Sequence, residues 1–198
     1  MKTSSSSFRH VPAALLSLLK RSLEDRQQPA YGQVATIDSR RAPQVRTVHL
    51  RLLSEYGALG FNTNTLSTKW GQLLRGPVLA GCYFDLKRQI QWRWSGSVKL
   101  LGAKAPPEDL ALLDRQWLML RAAVRKAYWV DYLGGRPRFD VDRRCPTFGT
   151  VVCLPDRWDV FKYDSRDYAR GRRTAYVLHD GAWKADRISL LHGSPLHE

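Results

Sequence analysis

The stretch with the most potential chemistry runs from Val45 to Lys69, VRTVHLRLLSEYGALGFNTNTLSTK. It carries two arginines, Arg46 and Arg51, then an amide and hydroxyl run, Asn62-Thr63-Asn64-Thr65, then Ser67-Thr68-Lys69 ahead of a short helical pattern. A guanidinium is a planar fork of donors that grips two oxygens of one phosphate. The N–H groups opening a helix have no acceptor inside it and favour an anion. Together these are the parts of a phosphate site. Taken singly, Ser67 is also an ordinary N-cap and Lys69 an ordinary surface lysine. In an ideal strand Arg46 and Arg51 face opposite ways, so both reach one ligand only along the strand edge or across a bulge.

Two further sets stand out. In Arg88-Gln89-Ile90, the Gln89 carboxamide both donates and accepts and could read the edge of a heteroaromatic ring. Trp158, Tyr163, Arg170, Arg172 and Arg173 interleave aromatic and basic side chains that could clamp single-stranded nucleic acid or flank one flat cofactor. Trp158 and Trp183 read as barrel core. His49 reads as a hydrogen-bonded core histidine, and no His, Cys or carboxylate spacing suits a metal. G-x-S-x-G, P-loop and G-x-G-x-x-G motifs are all absent. No residue identifies itself as a catalytic acid or base.

The elements that must position these residues are mostly strands. Residues 1–10 are Ser-rich and expected to be disordered, and 11–198 are expected to form a single domain. A first helix is expected over 11–27, with Pro12 in its first turn, and a barrel core over about 31–188. Alternation predicts a strand at Tyr31–Ile37, a turn at Asp38–Arg41 and a strand from Val45 to Arg51. After a turn at Glu55-Tyr56-Gly57 come a strand at Gly57–Asn62 and a short helix after Ser67. Further strands are expected at Val78–Phe84 and Arg88–Leu101, then a helix from Leu110 to Tyr128 and a loop over Leu133–Thr147. Strands at Thr150–Leu154, Trp158–Tyr163, Arg173–Leu178 and Trp183–Ile188 close the chain, the last two joined by an Asp180-Gly181 turn. Many short antiparallel strands with few helices predict a mainly β barrel with flanking helices.

The chain has 198 residues, a net charge of +14 and a pI near 10.1, a balance that attracts nucleic acid, anionic lipid or phosphorylated small molecules. Three cysteines without a C-x-x-C pattern point to no disulfide framework and to a reducing compartment. The apolar run Val11–Leu19 is too short to span a bilayer, and no small-residue cleavage site follows it. A cytoplasmic protein with no membrane partner is expected.

The runs RTVHLR (Arg46–Arg51), FNTNTLSTK (Phe61–Lys69) and RQI (Arg88–Ile90), followed by RRTAYVLHDGAWKADRI (Arg172–Ile188), resemble the pyridoxamine 5′-phosphate oxidase-like flavoproteins. The early run YGQVATIDSRRAPQVRTV resembles that family's first hairpin. The resemblance implies an FMN-binding split β-barrel of antiparallel Greek-key type. It implies a homodimer with FMN at the subunit interface. Carried over by position, Arg46, Thr47, Val48, His49, Leu50 and Arg51 would line FMN, with Arg46 on its phosphate. Asn62 and Thr63 would lie against the flavin or its ribityl chain, and Ser67, Thr68 and Lys69 would complete the phosphate site. Gln89, Tyr163 and Arg173 would approach from elsewhere, and Arg51, Trp117 and Arg121 would meet the substrate, which stays open. The pattern departs at Arg51 for a lysine, Thr68 for an arginine, and Ala169 and Gly171 for a substrate-gripping Arg-x-His. The resemblance therefore favours an FMN oxidoreductase with an altered substrate site. The alternatives are a true pyridoxamine or pyridoxine 5′-phosphate oxidase, a flavin-free basic nucleic-acid-binding barrel, and a haem-binding barrel using His49. With FMN at the interface, a nucleic-acid partner is not expected.

Overall fold

The computed structural model describes residues 10–25, 27–54, 57–134 and 140–189. Helix α1 (Ala13–Leu23) leads into β1 (Tyr31–Ile37), β2 (Pro43–His49), β3 (Arg51–Leu52) and β4 (Leu59–Asn64). Next come α2 (Thr68–Arg75), β5 (Val78–Asp85), β6 (Ile90–Leu101), α3 (Pro107–Leu118) and α4 (Ala122–Leu133). The chain closes with β7 (Phe148–Lys162), a 3₁₀ turn at Tyr168–Arg170, β8 (Arg172–His179) and β9 (Ala182–Ile188). Residues 1–9, Glu55 and Tyr56, which carry the expected disorder and part of an expected turn, lie outside the described residues, as does Arg26.

All the strands join one antiparallel sheet in the order β2-β1-β5-β6-β7-β4-β3, with β8 on β7 and β9 on β8. The two ends of that order, β2 and β3, are separated in the chain by one residue, Leu50. The sheet must therefore curl until its edges nearly meet, which makes a split barrel. Leu50 is buried and its N–H donates to the Ala30 carbonyl at 2.8 Å. Gly32 makes room for it, since a Cβ there would stand 2.4 Å from the Leu50 side chain.

The inward faces of the strands fill the barrel. Trp158 is fully buried, with Trp92 edge-on at 5.9 Å and Trp94 tilted at 6.0 Å between ring centroids. Leu15, Leu19 and Leu23 of α1 close over this core. A second cluster, with Leu113, Trp117, Trp129 and Phe148, lies under α3 and α4.

Several sequence expectations need correction. The strand expected over Val45–Arg51 is two strands, because Leu50 turns inward. The strands expected at Thr150–Leu154 and Trp158–Tyr163 are one, β7, continuous through Pro155. The missing proline N–H is absorbed by a register shift opposite Ser95 and Gly96. The helix expected over Leu110–Tyr128 breaks at Met119–Arg121 into α3 and α4. The break lets Tyr128 turn back onto Phe148 at 5.4 Å and Trp117 at 5.8 Å, so aromatic packing overrides helical propensity. Pro12 is the extended N-cap of α1 and not part of its first turn. The Asp180-Gly181 turn is as expected, with positive φ at both residues (46° and 73°), the geometry of a tight hairpin.

Trp158 is the hub of the aromatic core. Its replacement by Ala is expected to cost about 3–5 kcal/mol of stability, the range for a large buried aromatic. Urea denaturation followed by circular dichroism measures it, and a loss under about 1 kcal/mol would show that the barrel does not depend on this ring.

Candidate functional site

Arg46 leaves β2 on the core-facing side and reaches α2. Its Nη1 donates to the Thr36 hydroxyl and its Nη2 to Gln72 Oε1 at 3.0 Å. Thr36 in turn donates to Gln72 Oε1 at 2.5 Å, and both residues are buried. The Arg46 fork is thus oriented by one strand and one helix, with donors left over. On the neighbouring strand β4, Thr63 accepts from Lys69 Nζ at 2.9 Å and lies 3.2 Å from the Ser67 hydroxyl. Ser67 is the N-cap of α2 but makes no side-chain cap bond. Its hydroxyl pairs with Thr63 instead and stands beside the first-turn N–H groups of α2.

This group is positive and uncompensated. Among the described residues, carboxylates pair elsewhere: Asp25 with Lys87 and Arg88, Asp85 with Arg88, Asp159 with Arg93 and Arg173. None pairs with Arg46, Arg51 or Lys69. Burial, and then the charge of Arg46, holds the Lys69 ammonium below the ordinary lysine range. Burial also pushes down the Arg46 and Arg51 guanidiniums.

The other expected site residues divide. Arg51 borders a recess of about 350 Å³ between α1 and α3, with Lys20, Arg115 and Gln116 in its wall. Trp117 and Arg121 do not join Arg51 there. Trp117 is buried against Tyr128 and Phe148, with its indole N–H on the Asp142 carbonyl at 3.2 Å, and Arg121 is exposed at the start of α4. Thr47 and His49 face outward, Val48 is half-buried and Leu50 is core. His49 is thus an exposed residue against the Tyr31 ring at 5.3 Å, not the expected core histidine, because it shares strand parity with exposed Val45 and Thr47. Asn62 and Thr63 point to opposite sides of β4, and the Asn62 carbonyl oxygen accepts from Thr150 at 2.9 Å. Thr68 opens α2 beside Lys69 and is exposed.

Gln89, Tyr163 and Arg173 gather at the far end of the sheet. Gln89 is not in a strand: it sits in the β5–β6 turn at φ 55°, its amide donating to the Leu86 carbonyl at 2.7 Å. Its own carbonyl accepts from the Tyr163 N–H at 2.8 Å. The Tyr163 ring leans on Phe161 at 3.9 Å and meets Phe84 edge-on at 5.5 Å. Arg173 donates to Asp159 through Nε at 2.9 Å and Nη2 at 2.6 Å, which holds it firmly charged. Arg46 lies level with Val34 and Gly81, four residues along β5 from Asp85, where that turn begins. The Gln89 turn is therefore about 13 Å from Arg46 along the strand direction alone, whereas Arg173 reaches back to Asp159, level with Cys82.

Residues 12–102 match the family described as pyridoxamine 5′-phosphate oxidase, FMN-binding domain. The chain has a split-barrel fold. Its fold is shared with a Nostoc punctiforme protein described as pyridoxamine 5′-phosphate oxidase-related and FMN binding. That likeness has a TM-score of 0.77 at 23% identity, over 92% of this chain and 99% of that one. PhzG from Burkholderia lata, solved with tetrahydrophenazine-1-carboxylic acid, is similar at a TM-score of 0.69 and 16% identity, over 90% of this chain and 93% of that one. No curated protein matches the chain.

Sequence reasoning missed Thr36 and Gln72, which aim Arg46, and Arg115 and Gln116, which adjoin Arg51. A signal existed for Thr36: it breaks the apolar inward face that Val34 begins. Gln72 carried a weaker one, as a buried amide among Trp70 and Leu73 of α2.

Lys69 titrates with a definite sign. Its folded pKa is lowered from 10.5, so the unfolded chain binds more protons in the window between the two values. Stability should rise with pH through that window and be lowest where Lys69 is charged in both states. In anion-free buffer, Lys69→Met is expected to abolish that rise. Urea titrations of both proteins from pH 7 to 10.5 measure it, and parallel curves would show that Lys69 is not strained by its surroundings.

Proposed function

We propose that this chain binds FMN as a homodimer and acts as an FMN-dependent oxidoreductase. The observation that carries the reading is the pair Arg46 and Lys69, two partly buried cations with no carboxylate partner, set beside Ser67 at the start of α2. The donor set suits a phosphate monoester: a guanidinium fork, an ammonium, the Ser67 hydroxyl and first-turn N–H groups. Thr36 and Gln72 hold the fork, and Thr63 holds the ammonium, so little side-chain freedom is lost on binding. Arg51, on the next strand segment, would stand between cofactor and substrate. Bound FMN would supply the hydride and electron transfer.

The sheet's outer face supports the dimer. Val45, Ala35 and Ala80 stand in one register row across β2, β1 and β5, flanked by Ile37 and Val78. Val45, Val78 and Ile37 are 67%, 63% and 54% exposed, an apolar stripe that water does not favour. The likeness to the Nostoc protein, described as FMN binding, points the same way. The free cysteines suit a reducing, cytoplasmic setting. Turnover of pyridoxamine 5′-phosphate is not part of the reading, since Ala169 and Gly171 stand in place of the family's Arg-x-His.

The purified protein is expected to be yellow, or to bind added FMN with a rise in melting temperature. Arg46→Gln should weaken FMN by roughly 10- to 100-fold, the equivalent of one charged hydrogen-bond set of about 1.5–3 kcal/mol. A colourless protein that ignores FMN would sink the proposal.

Wild-type protein should sediment at twice the 22.7 kDa chain mass, and Val45→Glu should shift it toward one chain mass. An unchanged mass for the folded variant would place the dimer contact elsewhere.

A further inference from the structure

A second recess, of about 580 Å³, opens beyond the 3₁₀ turn at the end of the β7–β8–β9 ladder. Lys162, Arg170, Arg172 and Arg187 line it, with Tyr163, Asp164 and Ala169. Lys162 and Arg172 are directly opposed in the β7–β8 ladder. Arg187 opposes Thr174, the next residue of β8 on the same face. Register therefore brings three exposed cations to one face of three adjoining strands. Like charges directly opposed in a ladder are destabilising unless something offsets them.

Nothing in the described chain does. Asp159 and Asp186 lie on the opposite face, where both flank Ala175 in the register, and Asp159 pairs with Arg93 and Arg173, while Asp156 stands six residues back along β7 from Lys162. Among the described residues, Lys162, Arg172 and Arg187 have no carboxylate partner. Arg170 has one, Asp167 at 3.3 Å. The Asp164 carboxylate is turned to its own backbone, accepting from the Arg166 and Asp167 N–H groups at 2.9 and 3.2 Å.

We infer that this recess is an anion site of its own, built by Lys162, Arg172 and Arg187 for a small polyanion with two or more phosphate or carboxylate groups. Its volume lies in the range of small-molecule sites. Three cations on separate strands suit separated charges of one ligand better than a single monoanion. The recess borders Tyr163, which the FMN proposal also uses, but its three cations belong to neither the Arg46–Lys69 group nor the Gln89–Tyr163–Arg173 group.

The test uses the full chain, with and without FMN, and inorganic pyrophosphate as the probe. Pyrophosphate should raise the melting temperature well beyond chloride at matched ionic strength. Arg172→Gln/Arg187→Gln should weaken pyrophosphate binding at least 10-fold by calorimetry, leaving any FMN response unchanged. Because the substitutions relieve like-charge repulsion, the double variant without ligand should melt no lower than wild type. Equal pyrophosphate binding by both proteins would overturn the site, as would an effect no larger than that of chloride. A single-stranded oligonucleotide that outcompetes pyrophosphate and is lost with the same substitutions would overturn the small-ligand assignment in favour of a nucleic-acid backbone.

Discussion

One residue, Leu50, constrains the barrel and the site together. It joins strands that sit at opposite ends of the sheet order, so a path of seven strands must bend until its first and last members are a single residue apart. Burying Leu50 under Gly32 and bonding its N–H to Ala30 fixes that seam. The seam then decides the placement of the basic residues. Arg46 lies before it, on β2, and Arg51 after it, on β3. Across it runs β4, whose continuation is α2, and so Gln72 and Lys69 come within reach of β2. Arg46 reaches a helix that follows it by more than twenty residues because the seam closes the distance.

Charge in this protein is local, although the total is +14. Several arginines are already answered: Arg88 by Asp85 and Asp25, Arg93 and Arg173 by Asp159, Arg144 by Asp114. Many other described cations, Arg75, Arg157 and Lys184 among them, also have no carboxylate partner but are exposed, whereas Arg46, Arg51 and Lys69 near the seam are partly buried. An unpaired cation on an open surface costs little, because water and salt screen it. Partial burial changes that, and the lowered pKa of Lys69 has burial as its first cause and Arg46 as its second. The cations near the seam are therefore held in a state that an anion would relieve.

Local patterns were legible where the residue's own chemistry decides the backbone. The first strand, Tyr31–Ile37, was readable from alternation, and the Asp180-Gly181 hairpin from two residues that accept positive φ. Patterns failed where the decision is tertiary. Nothing in Met119–Arg121 signals a helix break, since neither Pro nor Gly is present and the cause lies in Phe148, far along the chain. Gln89 looked like a strand residue by its polarity, yet it closes a turn with positive φ. His49 looked internal because its strand is partly buried, but a one-residue step in parity puts it outside. The residue types of the candidate site were legible, but the burial of Trp117 was not, because an aromatic on a helix reads alike as a ligand contact or as core.

The parts of the site also differ in how firmly they are held, and that follows from the same geometry. Thr36 and Gln72 are buried and bonded to each other as well as to Arg46, so the guanidinium is aimed by groups that cannot easily turn away. Lys69 is tethered only through Thr63, on a flexible stem. Arg173, by contrast, spends two of its donors on Asp159, and its charge is largely neutralised before any ligand arrives. Its contribution to an approaching group is one of position and remaining N–H donors rather than of net charge. The end near the seam is thus organised to attract an anion. The far end, with Tyr163 on Phe161 and a neutralised arginine, is organised to present a flat, polar-edged surface. A charged tail has complementary partners at the first end and a planar head at the second.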